Sequence, residues 1–77
     1  MKLEILGTGC PKCESLLNHV KTAVAELGIE AEISKVSDIV EIAERGALMT
    51  PALSIDGEIK LAGKLASVEE LKTLIGS

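Results

Sequence analysis

The stretch Lys2-Leu3-Glu4-Ile5-Leu6-Gly7-Thr8-Gly9-Cys10-Pro11-Lys12-Cys13 decides the fold. A short run rich in Leu and Ile is followed by three small residues, then by two cysteines at the head of a helical pattern. Lys2 to Leu6 reads as a strand and Gly7-Thr8-Gly9 as a flexible turn. From Pro11 to Leu27 the apolar residues Leu16, Leu17, Val20, Val24 and Leu27 recur at the spacing of one helix face. Pro11 suits the first helical position, where its missing N–H costs nothing and its φ is already right. Gly28 reads as the C-cap.

Outward from this unit, Ile29 to Val36 alternates apolar and polar residues and reads as a second strand. Asp38-x-x-Glu41 is a capping-box pattern for a short helix with Ile39, Ile42 and Ala43 inward, ended by Gly46. Ala52 to Ile55 and Glu58 to Ala62 flank Asp56-Gly57. That pair signals a tight hairpin, because both turn positions need positive φ. Ser67-x-x-Glu70 caps a last helix that buries Val68, Leu71, Leu74 and Ile75. The order is therefore β-α-β-α-β-β-α. A right-handed crossover makes the first two strands parallel, and the hairpin makes the last two antiparallel. The expectation is an α/β fold, a four-stranded mixed sheet with helices on both faces, as one domain over residues 1–77.

Composition narrows the function classes. The chain has 77 residues, 47% of them hydrophobic, and no Phe, Tyr or Trp, so its core must be aliphatic. Eight basic and twelve acidic residues are interspersed, for a net charge of −4. With no basic stripe and no aromatic stacking platform, nucleic acid is not an expected partner. The apolar runs are far too short for a membrane span. The N-terminus opens directly into a strand, with no signal-peptide pattern, so the expected compartment is the cytoplasm. Nothing in the pattern demands more than a monomer.

The chemistry-bearing residues are Cys10 and Cys13. A disulfide closing so small a ring staples almost nothing, so the pair reads as redox or metal chemistry. Cys10 falls at the helix N-cap, where unpaired N–H groups and the helix dipole favour thiolate over thiol, and Lys12 adds a positive charge. Cys13 precedes Leu16 and Leu17 by three and four residues and continues the buried stripe. This asymmetry predicts that Cys10 attacks a disulfide and Cys13 resolves the mixed disulfide. The competing reading is a soft-metal site. Two thiolates leave zinc two ligands short, and the lone His19 points away from Cys13 and reads as a solvated surface residue. Cu(I) suits a two-thiolate site better.

The Gly7-Thr8-Gly9-Cys10-Pro11-Lys12-Cys13 run, followed about forty residues later by Met49-Thr50-Pro51-Ala52-Leu53 before a hairpin strand, resembles the thioredoxin/glutaredoxin family. The likeness is greatest to its short archaeal and bacterial thioredoxin-like members, the redox-active disulfide proteins, and covers essentially the whole chain. It implies a minimal thioredoxin fold and thiol–disulfide oxidoreductase activity, with protein disulfides as substrates and an upstream reductase or small thiol as electron donor. No cofactor beyond the dithiol is implied. It further implies a cis Thr50–Pro51 bond beside the dithiol, with the Thr50 backbone pairing to an extended substrate. Gly63 matches a family glycine near the site. Glu4, six residues before Cys10, matches a buried acid that accepts a proton from the second cysteine. Equally, it fits a strand residue whose carboxylate reaches solvent at the sheet end. Two departures stand out: Gly9 replaces the usual Trp of thioredoxins, and Lys12 replaces the aromatic residue of dithiol glutaredoxins. They make the substrate face flatter and argue against glutathione.

The main rival is a copper-carrying metallochaperone domain. Those domains also place CxxC after a first strand, but their order is β-α-β-β-α-β. The capped segment from Asp38 to Arg45, the hairpin at Asp56-Gly57 and a terminal helix oppose it.

Overall fold

The computed structural model describes residues 1–9, 11–47 and 49–76. The elements are β1 (Lys2–Leu6), α1 (Pro11–Leu27), β2 (Glu32–Val36), α2 (Ile39–Glu44), β3 (Ala52–Ile55), β4 (Glu58–Ala62) and α3 (Val68–Gly76). This is the predicted order, and it is not the order of the copper carriers. One mixed sheet runs β2-β1-β3-β4, with β1 parallel to β2 and antiparallel to β3, and β3 antiparallel to β4. The architecture is that of a minimal thioredoxin fold.

Strand alternation divides the central strands between two faces. Leu3 and Ile5 of β1 and Leu53 and Ile55 of β3 face α1 and α3. There they pack with Leu16, Leu17, Val20, Val24, Leu71 and Ile75 in the larger core. Each such side chain fully buried contributes about 1.5–3 kcal/mol of transfer free energy. Leu6 and Ala52 face the other way, with Val36, Ile42 and Ala47. Glu4 and Ser54, paired in the β1–β3 register, lie on this second face and are both buried. The short α2 covers only part of that face.

Local signals act as their chemistry requires. Asp56 (φ 51°) and Gly57 (φ 87°) both take positive φ at the hairpin. The Ser67–Glu70 capping box closes in both directions: Glu70 N–H donates to Ser67 Oγ at 3.2 Å, and Ser67 N–H to Glu70 Oε1 at 3.4 Å.

Four expectations change. The second strand begins at Glu32, not Ile29: the ladder with β1 starts at the Lys2–Glu32 pair, and Glu32 N–H donates to the Met1 carbonyl at 2.9 Å. At α2 only half of the capping box forms. Asp38 Oδ1 accepts from Val40 N–H at 2.9 Å, but Glu41 turns to Arg45 four residues on. Of the three residues expected inward on α2, only Ile42 is buried. Ile39 is 69% exposed and Ala43 is also exposed, because so short a helix meets the sheet over one turn and leaves the rest at its rim. Lastly, His19 is half-buried, and its Nδ1 donates to the Ala66 carbonyl at 2.9 Å, tying α1 to the loop before α3.

Candidate active site

The site lies at the carboxyl end of β1, where the chain turns through residues 7–9 into α1. Cys10 lies outside the described residues. In the chain it falls between Gly9, with φ 91°, and Pro11, the first residue of α1. Pro11 and Lys12 are exposed, whereas Cys13 is 1% exposed. Cys13 thus occupies the buried stripe that its spacing from Leu16 and Leu17 predicts, with Val20 further along the same face.

Gly7 is the residue that pattern reading undervalued. It reads as one of three flexible turn residues, yet it is buried, and its N–H donates to the Val36 carbonyl at 2.9 Å. A Cβ built on Gly7 would land on the Cys13 sulfur. Gly7 therefore lacks a side chain so that α1 can bring Cys13 against the end of β1. The available signal was its place, directly after the last strand residue and before the cysteine pair.

Thr50–Pro51 is a cis peptide bond. Pro51 is buried and Thr50 exposed. Gly63 joins this corner: its N–H donates to the Pro51 carbonyl at 2.9 Å, and its φ is 73°. The Met49 side chain lies over it, so a Cβ at Gly63 would stand 3.0 Å from Met49 Cβ. Thr8 and Thr50 line one groove, which places the turn after β1 beside the turn before β3. The fold thus assembles Thr8, Cys13, Thr50, Pro51 and Gly63 from three separate parts of the chain.

Glu4 fits neither of its two sequence readings in full. Its carboxylate does not reach solvent: the residue is 5% exposed. It forms an ion pair with Arg45, which caps the C-terminus of α2 and also reaches Glu41 at 3.1 Å. The hydrogen bond to Glu4 raises the Arg45 guanidinium pKa beyond its already high usual value. Lys12 stands exposed on the first turn of α1. The neighbouring Glu14 is held below the usual carboxylate range by its hydrogen bond from Lys35 and that residue's charge.

Among the described residues no group of three or more His, Cys, Asp and Glu is placed to hold a metal ion, and no helix is long and apolar enough to cross a membrane. Comparison with known proteins gives consistent relatives. A family model for the thioredoxin domain matches residues 1–76. A protein named thioredoxin from Methanothermobacter thermautotrophicus is 44% identical over 75 residues, covering 97% of each chain. Another named thioredoxin, from Methanocaldococcus jannaschii, is 53% identical over 70 residues, covering 91% of this chain and 80% of its own length.

Proposed function

The chain belongs to the thioredoxin family and is a thiol–disulfide oxidoreductase; from that premise we propose that it reduces or exchanges protein disulfides through Cys10 and Cys13, with Cys10 the nucleophile. The observation that carries the assignment of roles is the burial of Cys13 against Gly7, beside the exposed first turn of α1. A sulfur so enclosed does not meet a large substrate, but it is suited to attack a neighbour three residues away in the chain.

The Cys10 thiolate attacks one sulfur of the substrate disulfide. An S–S bond forms to Cys10, and the other substrate sulfur leaves as a thiolate. Cys13 then loses its proton and attacks Cys10. The Cys10–Cys13 disulfide forms, and the second substrate sulfur leaves as a thiolate that takes a proton from solvent. Two electrons pass from the dithiol to the substrate, and the same steps reversed oxidise a substrate dithiol. The α1 N-terminus and Lys12 favour the Cys10 thiolate. In this reading Glu4 accepts the Cys13 proton with Arg45 as its counter-ion. The exposed Thr50, with Pro51 and Gly63 behind it, offers backbone to an extended substrate. The expected donors are an upstream reductase or a small thiol.

The test is a trapping experiment. Cys13→Ser should accumulate mixed disulfides through Cys10 with a disulfide-bonded protein substrate, and Cys10→Ser should not. Equal trapping by the two variants would overturn the assigned roles. Glu4→Gln should slow resolution by Cys13 while leaving attack by Cys10 unchanged, which stopped-flow mixing separates.

A further inference from the structure

Met49 immediately precedes the cis Thr50–Pro51 bond and is 63% exposed. Its side chain nevertheless has a fixed seat. It crosses Gly63 in the turn after β4: Met49 Cβ, Cε and Sδ lie 3.0, 3.1 and 3.2 Å from the position that a Cβ on Gly63 would take. Gly63 (φ 73°) thus offers the thioether bare backbone to lie on. The same glycine donates its N–H to the Pro51 carbonyl at 2.9 Å. Met49 is therefore a side-chain brace between the turn before β3 and the turn after β4, with much of its surface left in water. The chain holds two cysteines, two methionines and neither Trp nor Tyr. Once Cys10 and Cys13 are joined as a disulfide, no thiolate is left to react with a hydroperoxide, and the thioethers of Met1 and Met49 are the sulfurs still open to oxidation. Met1 is exposed too, but it stands before β1, at the end of that strand away from α1, beside Glu30, Ala31 and Glu32.

Resting on the function proposed above, we infer that Met49 is a reversible oxidation site, through which a hydroperoxide lowers activity on protein disulfides while the dithiol itself is spared. The step balances without a further reagent. The Sδ lone pair attacks the terminal peroxide oxygen, the O–O bond breaks and the S–O bond of a sulfoxide forms. The sulfur gives up two electrons, and the peroxide leaves as water or an alcohol. A sulfoxide reductase and a dithiol return two electrons and two protons, and the oxygen leaves as water. The consequence follows from where the sulfur lies. Oxidation turns a flexible apolar side chain into a polar, chiral one. On the Gly63 side the new oxygen meets backbone already at contact distance, so the sulfoxide lifts off Gly63 to be hydrated. The turn that carries Thr50 then loses its brace. Cys10 and Cys13, closed as a disulfide, are unchanged and resume exchange when reduced.

The test holds the protein as its internal disulfide, treats it with dilute hydrogen peroxide, quenches with catalase and then reduces it with a dithiol reagent, which regenerates the cysteines and leaves sulfoxides in place. Peptide mass spectrometry should find one added oxygen on Met49 and on Met1, and none on the cysteines. With a disulfide-bonded protein substrate, kcat/KM should fall by about tenfold, within the roughly 100-fold that a 1 Å misplacement can cost. The rate with a small aromatic disulfide reagent, which needs only the Cys10 sulfur, should not change. Incubation with methionine sulfoxide reductases for both epimers should restore the lost activity. Met49→Leu, close to Met in volume, is compared with its own untreated sample and should show no loss, although Met1 is oxidised as before. Three results would each overturn the inference: Met49 left unoxidised while Met1 is oxidised, full activity with Met49 oxidised, or an equal loss in Met49→Leu. Inactivity of the untreated protein towards both substrates would overturn the function beneath it, and the inference with it. The untreated sample separates that failure from the other three.

Discussion

Glu4 and Arg45 stand 41 residues apart in the chain and form an ion pair on the α2 face of the sheet. Glu4 belongs to the central strand β1 and is buried, while Arg45 is the C-cap of α2. The short helix cannot cover this face with apolar side chains, and an arginine at its end neutralises the carboxylate left beneath. Removing one partner of a buried pair is far worse than removing both, because the first leaves an uncompensated charge. Arg45→Met should therefore lower the urea midpoint well below wild type. Glu4→Gln combined with Arg45→Met should recover a large part of that loss. A double variant less stable than Arg45→Met alone would show that the pair does not act as a unit.

Gly7 and Cys13 make a steric prediction. Gly7→Ala forces a methyl group onto the Cys13 sulfur. Overpacking at such a point costs about 1–3 kcal/mol, read from denaturant unfolding. Adding Cys13→Ala should return much of that stability, since the smaller side chain makes room. If Gly7→Ala is neutral, α1 is free to shift and the close approach is not required.

Cys13 should also differ from Cys10 towards reagents. With the dithiol reduced, alkylation of the native protein should label Cys10 first and leave the buried Cys13 unmodified until the protein is unfolded. Mass spectrometry of peptides after a short exposure checks this. Labelling of Cys13 at the rate of Cys10 would contradict the division between them.

His19 joins α1 to the loop before α3 by donating to the carbonyl of the fully buried Ala66. His19→Leu removes the donor and should cost about 1–3 kcal/mol, the usual cost of an unsatisfied buried polar group. His19→Gln, which can still donate, should cost less. Thermal unfolding of the two variants side by side gives the comparison.

Stability should fall in acid in a defined window. Glu70 is held below its usual value of 4.5 by the hydrogen bond from Lys64 and the backbone of Ser67, and Glu14 by Lys35. Both carboxyls bind protons less readily in the folded state than in the unfolded state. Their contribution is therefore complete above about 4.5 and is lost as pH falls through the lower folded values. Both are exposed, so the effect is small and screened by salt. Melts of wild type and a Glu14→Gln, Glu70→Gln variant below that pH should converge, with wild type ahead at neutral pH.

Most of the fold was legible because local chemistry points one way at each step. The stripe from Leu16 to Leu27, the Asp56-Gly57 turn and the Ser67–Glu70 capping box each specify an element through interactions within a few residues. Cys13 belonged to the same legible class, since helical spacing alone puts it on the buried face. The family motif supplied Thr50, Pro51 and Gly63. Other features depend on partners far away in the chain, which no local pattern encodes. Glu4 carries no sign that Arg45 will cover it, Gly7 looks like any turn glycine until α1 lays Cys13 on it, and His19 finds Ala66 only after α3 docks. Ile39 follows the apolar periodicity of α2 as if it were core. Only the tertiary structure shows that the sheet ends beneath it, so that an inward position by pattern becomes the wall of a groove. The sequence by itself determined the elements, their order and the buried second cysteine, because those follow from short-range spacing. Tertiary structure alone decided which surfaces the ends of β1, α2 and β3 leave open beside it, because that depends on where the packing stops.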